Sequence, residues 1–164
     1  KGTPENPAVT KESVHHFSKL VNGLPLQRPP WFFDPAQQGE AIVDVTTHLA
    51  DLVQWECFPD QVIAPADLKV LSARNWKTPV TLAQFTKTTK LDGWPDYLKP
   101  LIDAGGVLQT PANGESTYTL RGVHAKVSVK WAFEAPAGAG GRSLARRAGS
   151  RCWKTRRALA RPRG

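Results

Sequence analysis

The chain contains no methionine and only two cysteines among its 164 residues. Cys57 and Cys152 form no CxxC pair and stand in no metal-ligand register with a histidine. The sequence therefore implies neither a disulfide framework nor a metal site, and it permits a reducing compartment. No apolar run approaches the ~20 residues that a membrane-crossing helix needs. No secretory signal pattern opens the chain. The expectation is a cytoplasmic protein without a membrane partner, with the periplasm as the alternative. A start at Lys1 and the missing methionine fit a processed start or a piece of a longer protein.

Acid is absent from the last 24 residues. The formal net charge is +8, yet residues 1–140 carry 13 Lys and Arg against 14 Asp and Glu. Residues 141–164 carry nine Lys and Arg and no carboxylate side chain. The whole positive excess lies in that end, so the near-neutral remainder gives no electrostatic reason to expect a nucleic-acid partner. Two regions follow: a globular domain over 1–140, and a basic tail over 141–164 that reads as disordered or irregular, or as foreign to the fold.

Elements are read from periodicity and punctuation. Thr10 can cap a helix over 11–22, with Val14, Phe17 and Val21 on one side and Asn22-Gly23 as its stop. Leu26 to Phe33, which contains Pro29-Pro30, reads as an edge strand or extended segment. Gly39 opens a second helix over 40–57 with Ile42, Val45, Leu49, Leu52 and Val53 as its apolar side, ended by Pro59. Asp67 to Ala73 is a short strand. Thr81 to Thr88 is a short helix with Leu82 and Phe85 inward. Trp94 to Ile102 is a further helical turn broken by prolines. Asn113-Gly114 suits a tight hairpin between Val107–Ala112 and Ser116–Arg121. The run VHAKVSVKWAF from Val123 alternates apolar and polar residues with the period of a half-buried strand. Three strands joined by short turns, with helices earlier in the chain, make an α+β domain: an open, mostly antiparallel sheet with helices packed on one face.

The chemistry concentrates in GEAIVDVTTHLADLVQWECF, Gly39 to Phe58. Asp44, His48 and Asp51 are spaced i, i+4, i+7, within about 60° on a helix of ~100° per residue. A carboxylate one turn from an imidazole raises its pKa and fixes its tautomer, which suits proton transfer. Thr47 borders the same face. The plainer alternative is a solvated Asp–His pair on a helix surface. The apolar neighbours favour a largely buried helix, whose aspartates would need a polar cleft.

This segment resembles the substrate-domain helix of the glucose–fructose oxidoreductase/inositol dehydrogenase (Gfo/Idh/MocA) family, a Gly-started helix bearing D-x-x-x-H-x-x-D. The run from Val9 to Phe133 resembles the C-terminal part of a bacterial oxidoreductase subgroup of that family. The resemblance implies that His48 is the general acid/base at a substrate hydroxyl. It also implies that Asp44 orients His48 or binds substrate, and that Asp51 supports them. The family's NAD or NADP sits in an N-terminal Rossmann domain, and its E-K-P motif supplies a lysine. Neither has a counterpart here. Gly138, Gly140 and Gly141 mimic a phosphate loop, but Ser143 takes the place of the sixth residue and no acid follows ~20 residues on.

Arg28 and Trp31, just before the helix, are the next substrate-contact candidates, Arg28 toward a carboxylate or hydroxyl cluster. Trp55, Trp76, Trp94 and Trp131 fit a stacking site or, for most, the core. His15 and His16 read as surface residues, and His124 as solvated or at an interface. The expected function is the substrate-binding domain of an NAD(P)-dependent oxidoreductase acting on a sugar, polyol or derivative, without cofactor or turnover of its own. Homo-oligomerisation through the open sheet face is expected. The rival is a non-enzymatic binding or oligomerisation module.

Overall fold

The computed structural model describes residues 1–135 and 146–147. Apart from Arg146–Arg147, the basic tail and the glycine mimic at 138–141 lie outside the described residues.

The run from Val123 forms the strand that its alternation predicts. It is paired on one side by a long antiparallel strand, Leu108–Leu120, which in turn pairs with Leu68–Val80. Its other side is taken by Val9–His16, running parallel to it. In chain order these are β1 (Val9–His16), β2 (Leu20–Val21), β3 (Leu24–Pro25), β4 (Leu68–Val80), β5 (Leu108–Leu120), β6 (Val123–Ala132) and β7 (Arg146–Arg147). The main sheet has the order β4-β5-β6-β1-β7, and β2 and β3 form a separate two-residue ribbon. The helices are α1 (Pro35–Gln38), α2 (Ala41–Asp44), α3 (Thr46–Cys57) and α4 (Leu82–Thr89), with 3-10 turns at Pro30–Phe33, Pro65–Asp67 and Asp96–Leu101. The α+β class with an open, mostly antiparallel sheet is the one expected. Among the described residues no helix is long and apolar enough to cross a membrane.

Three local expectations are corrected. The helix expected over 11–22 is β1 followed by the β2–β3 ribbon. Its i, i+3, i+7 apolar trio was outweighed by pairing with β6, which places Val9 and Phe17 in the core and leaves Val21 exposed. Asn22 and Gly23 both have positive φ, as a two-residue hairpin turn requires, so they turn a ribbon rather than end a helix. The extended segment expected up to Phe33 ends in the 3-10 turn at Pro30–Phe33.

The hairpin expected at Asn113-Gly114 does not form, because β5 runs straight through it. Asn113 is buried. Its Nδ2 donates to the Trp76 carbonyl at 3.1 Å and the Thr78 hydroxyl at 2.7 Å, and its Oδ1 accepts from the Trp131 amide at 2.8 Å. These bonds stitch the ladder where β4 slips register between Trp76 and Thr78. Gly114 serves packing: a Cβ there would lie 2.7 Å from the Cβ of Ile42. The Asn-Gly pair thus lets α2 lie directly on the sheet.

The helix expected over 40–57 is present, interrupted at Val45, where the His48 amide bonds back three residues to the Val45 carbonyl at 3.2 Å. The strand expected over 67–73 extends to Val80. The helix after Thr81 forms with a capping box, the Thr81 hydroxyl accepting from the Gln84 amide and the Gln84 side chain from the Thr81 amide. Phe85 is buried as expected, whereas Leu82 is exposed.

Two apolar clusters line the helix-bearing face. Val9, Leu49, Val53, Tyr118, Leu120, Ala125 and Val127 form one. Phe17, Phe33, Val80, Phe85, Leu98, Leu108 and Ala112 form the other. The opposite face is polar, with Glu115 paired to Lys126 at 2.8 Å and to Arg74 at 3.3 Å, and Glu12 paired to Lys130.

Candidate functional site

The residues expected to do chemistry lie along one stripe of α2 and α3. Asp44, Thr47, His48 and Asp51 are all exposed, with Leu52 and Trp55 beside them. The buried side of α3 is Thr46, Leu49 and Val53. A lone helix lying on a sheet buries only about half of its circumference, so the largely buried helix expected from its apolar content does not occur. Thr47 donates to the backbone carbonyl of Asp44 at 3.0 Å. Among the described residues the His48 and Asp51 side chains have no hydrogen-bond or ion-pair partner, and no bond joins Asp44 to His48. Among the described residues His48 stands on the exposed side of its helix and does not line the cleft that Asp44 borders.

Asp44 instead marks the edge of a cleft at the aromatic end of the sheet. Phe17, Phe32, Gln38, Gly39, Asp44, Thr110, Pro111, Ala112 and Trp131 line it, and it holds about 290 Å³ including its open mouth. Each wall has a local cause. The 3-10 turn begun by Pro30 brings in Phe32. Asp34 caps α1, its carboxylate accepting from the Ala36 amide at 3.0 Å, and so delivers Gln38 and Gly39. Thr110 and Trp131 come from neighbouring strands β5 and β6.

Trp131 is crowded on its faces. His15 stacks on it at 4.8 Å, Phe17 lies 4.9 Å and Phe32 5.7 Å away, and the Arg28 guanidinium carbon is 5.2 Å from its centroid. Its Nε1 and the Thr110 hydroxyl are both buried without a partner.

His15 is half-buried and bonded through Nε2 to the Ser13 hydroxyl at 2.6 Å. Burial first, and then the charge of Lys19, hold its pKa below the ordinary imidazole value, with the Asp44 carboxylate opposing them. The Asp44 carboxylate therefore acts through its charge on His15, which lies on a different element. The parallel register that sets His15 opposite Trp131 gave no local sequence signal.

Arg28 is engaged by the fold. Its Nε donates to the Phe17 carbonyl at 2.8 Å and its Nη2 to the His16 carbonyl at 3.0 Å, and the guanidinium sits 4.2 Å over Phe32. Burial lowers its pKa. Trp31 is exposed on the same 3-10 turn and does not line the cleft. Trp94 packs against the aromatic cluster, 4.7 Å from Phe85, while Trp55 is exposed. No group of three or more His, Cys, Asp or Glu among the described residues is placed to hold a metal. A carboxylate, a hydroxyl and an indole N–H beside apolar walls are suited to binding hydroxyl groups.

A comparison with curated proteins finds no match. Among solved structures, "a putative oxidoreductase from Parabacteroides merdae ATCC 43184" is similar, with a TM-score of 0.81 and 50% identity. The match covers 84% of this chain and 31% of that one, so the chain spans about a third of its solved relative. The family described as "Putative oxidoreductase C terminal domain" matches residues 1–158, which extends beyond the Val9–Phe133 run that carried the resemblance in the sequence. A match of that extent makes the chain a member of this family of oxidoreductase C-terminal domains.

Proposed function

We propose that this chain is the substrate-binding part of an NAD(P)-dependent oxidoreductase of the Gfo/Idh/MocA kind, acting in the cytoplasm on a sugar, polyol or derivative. The observation that carries the reading is the exposed stripe of α2 and α3. His48 and Asp51 stand there beside Leu52 and Trp55, which are 45% and 72% exposed. Large apolar side chains grouped around an imidazole mark a surface built to be covered. A cofactor domain lying on that stripe would exclude water from His48 and complete a site that this chain leaves open. A nicotinamide held by that domain would supply the hydride exchange. His48 takes or returns the hydroxyl proton, Asp51 supports substrate binding beside it, and Asp44 joins the stripe to the cleft where the remainder of the substrate lies. The polar outer face of the sheet is the surface for self-association.

The test compares two polypeptides. The longer protein that carries this chain should reduce NAD or NADP with at least one member of a sugar and polyol panel, and residues 1–164 alone should do neither this nor bind nicotinamide. Turnover by the short chain, or a longer protein with no nicotinamide affinity, would refute the proposal. In the latter case the second reading takes over: a non-enzymatic binding or oligomerisation module, favoured by the exposure of His48 and by its lack of a bond to Asp44.

A further inference from the structure

The aromatic end of the sheet satisfies its buried polar groups with one local exception. The Thr78 hydroxyl donates to the Trp131 carbonyl at 2.7 Å, Thr88 to the Gln84 carbonyl at 3.0 Å and Thr89 to the Phe85 carbonyl at 2.9 Å. Asn113 makes the three bonds already described. Thr110 is only 6% exposed, yet among the described residues its hydroxyl has no partner, and neither has the Trp131 Nε1. Both residues line the same cleft. A buried donor and a buried hydroxyl left open side by side call for a partner from outside the chain.

We infer that this cleft is a subsite for one hydroxyl-bearing end of an uncharged polyol or sugar. The inference rests on the proposed substrate class and assigns it a place. A ligand hydroxyl is the complement of the two open groups, since its oxygen accepts from the indole N–H while its proton goes to the Thr110 oxygen or to the Asp44 carboxylate. An anionic group is disfavoured by Asp44, which faces the cleft. A cationic group meets Arg28 behind Phe32 and Trp131, and both Arg28 and Lys19 lie near enough to lower the His15 pKa. Phe32, Pro111 and Ala112 offer apolar wall to the carbon skeleton between hydroxyls. The faces of Trp131 are occupied by protein, so its contribution is the N–H edge rather than a stacking surface.

The experiment follows the indole N–H resonances of residues 1–164 by NMR during titration with xylitol, with tetrahydropyran as a probe of similar bulk lacking hydroxyls. The Trp131 resonance is assigned by its loss in Trp131→Phe. It should move saturably with xylitol while the other indoles stay, and tetrahydropyran, whose ether oxygen can accept but which has no proton to donate, should move it less. Thr110→Val, which keeps the shape, should weaken xylitol about tenfold, the effect of removing one hydrogen bond. Three results would overturn the inference: no saturable shift, the same shift in Thr110→Val, or an equal shift with tetrahydropyran. Because no cofactor is involved, a longer protein without hydride transfer leaves a positive titration standing, and a negative titration leaves the hydride-transfer test untouched.

Discussion

The two ends of the inner layer solve the same problem with different side chains. At one end Val9, Leu49, Val53, Leu120, Ala125 and Val127 form an aliphatic contact between α3 and the sheet. It is braced by Lys11, which is 8% exposed and paired with Glu56 of α3. At the other end Phe17, Phe33, Phe85 and Trp94 interlock through ring contacts of 4.7 to 5.3 Å. Flat rings with fixed edges fill space less flexibly than aliphatic chains, and this end is where the cleft and its two open polar groups lie. Among the described residues the aliphatic end also holds two buried atoms without a hydrogen-bond partner, Glu56 Oε2 and the hydroxyl of Tyr118, whose pKa burial pushes up to about 12. Tyr118 does not line the cleft. The Tyr118 and Glu56 atoms thus lie away from the cleft, whereas Thr110 and Trp131 line it.

That contrast can be broken most forcefully at Phe85, which is fully buried between Phe33 and Trp94. Phe85→Ala should lower the unfolding free energy by about 3–5 kcal/mol in urea titrations. It should also abolish the xylitol response, because the cleft shares this cluster. A matching loss of stability in Leu49→Ala, about 2–5 kcal/mol, should leave the response in place. At the brace, Lys11→Met leaves a carboxylate facing the aliphatic cluster. Because Glu56 is 30% exposed, the loss should be about 2 kcal/mol, below the ~3–5 of a fully buried pair. Lys11→Met combined with Glu56→Leu should recover most of it, read as a double-mutant cycle.

Gly114→Ala should cost about 1–3 kcal/mol through its clash with Ile42, and Ile42→Ala should absorb part of that cost. Tyr118→Phe removes an unpartnered hydroxyl and should stabilise by about 1 kcal/mol without touching ligand binding.

The smallest effect is the pH response. Burial first, then Lys19, hold both His15 and His16 below their ordinary value. The unfolded chain, at about 6.5, therefore binds protons at a higher pH than the fold does. Their contribution is complete above that value and is lost as pH falls beneath it, until the folded value is passed. The urea midpoint should be lower at pH 5.5 than at pH 7.5, and His15→Gln should reduce the difference.

What the sequence revealed was local. The alternation from Val123, the short helix from Thr81 and the helical spacing of 40–57 are each carried by neighbouring residues, and each appears in the fold, the last broken at Val45. What it concealed was pairing. β1 has a mixed pattern, with Lys11 and Ser13 on its inward side, and becomes a strand because β6 has an open edge. Asn113-Gly114 has turn chemistry, yet it serves a register slip and a close helix contact. The candidate site shows the same division. The stripe bearing Asp44, Thr47, His48 and Asp51 was readable from 3.6-residue spacing. The cleft, in contrast, gathers Phe17, Phe32, Thr110 and Trp131 from four separated segments, which no local spacing announces.

On the proposed function, labour is divided between an exposed imidazole that does chemistry and a cleft that holds substrate. Steady-state kinetics of two variants in the longer protein test that division most directly. His48→Gln should lower kcat by on the order of 10²–10⁴ with KM little changed, as loss of a general acid/base does. Thr110→Val should raise KM with kcat nearly kept. A His48→Gln enzyme whose kcat stays within about twofold of the parent, well short of the ~10² expected for a lost proton-transfer group, would contradict the account.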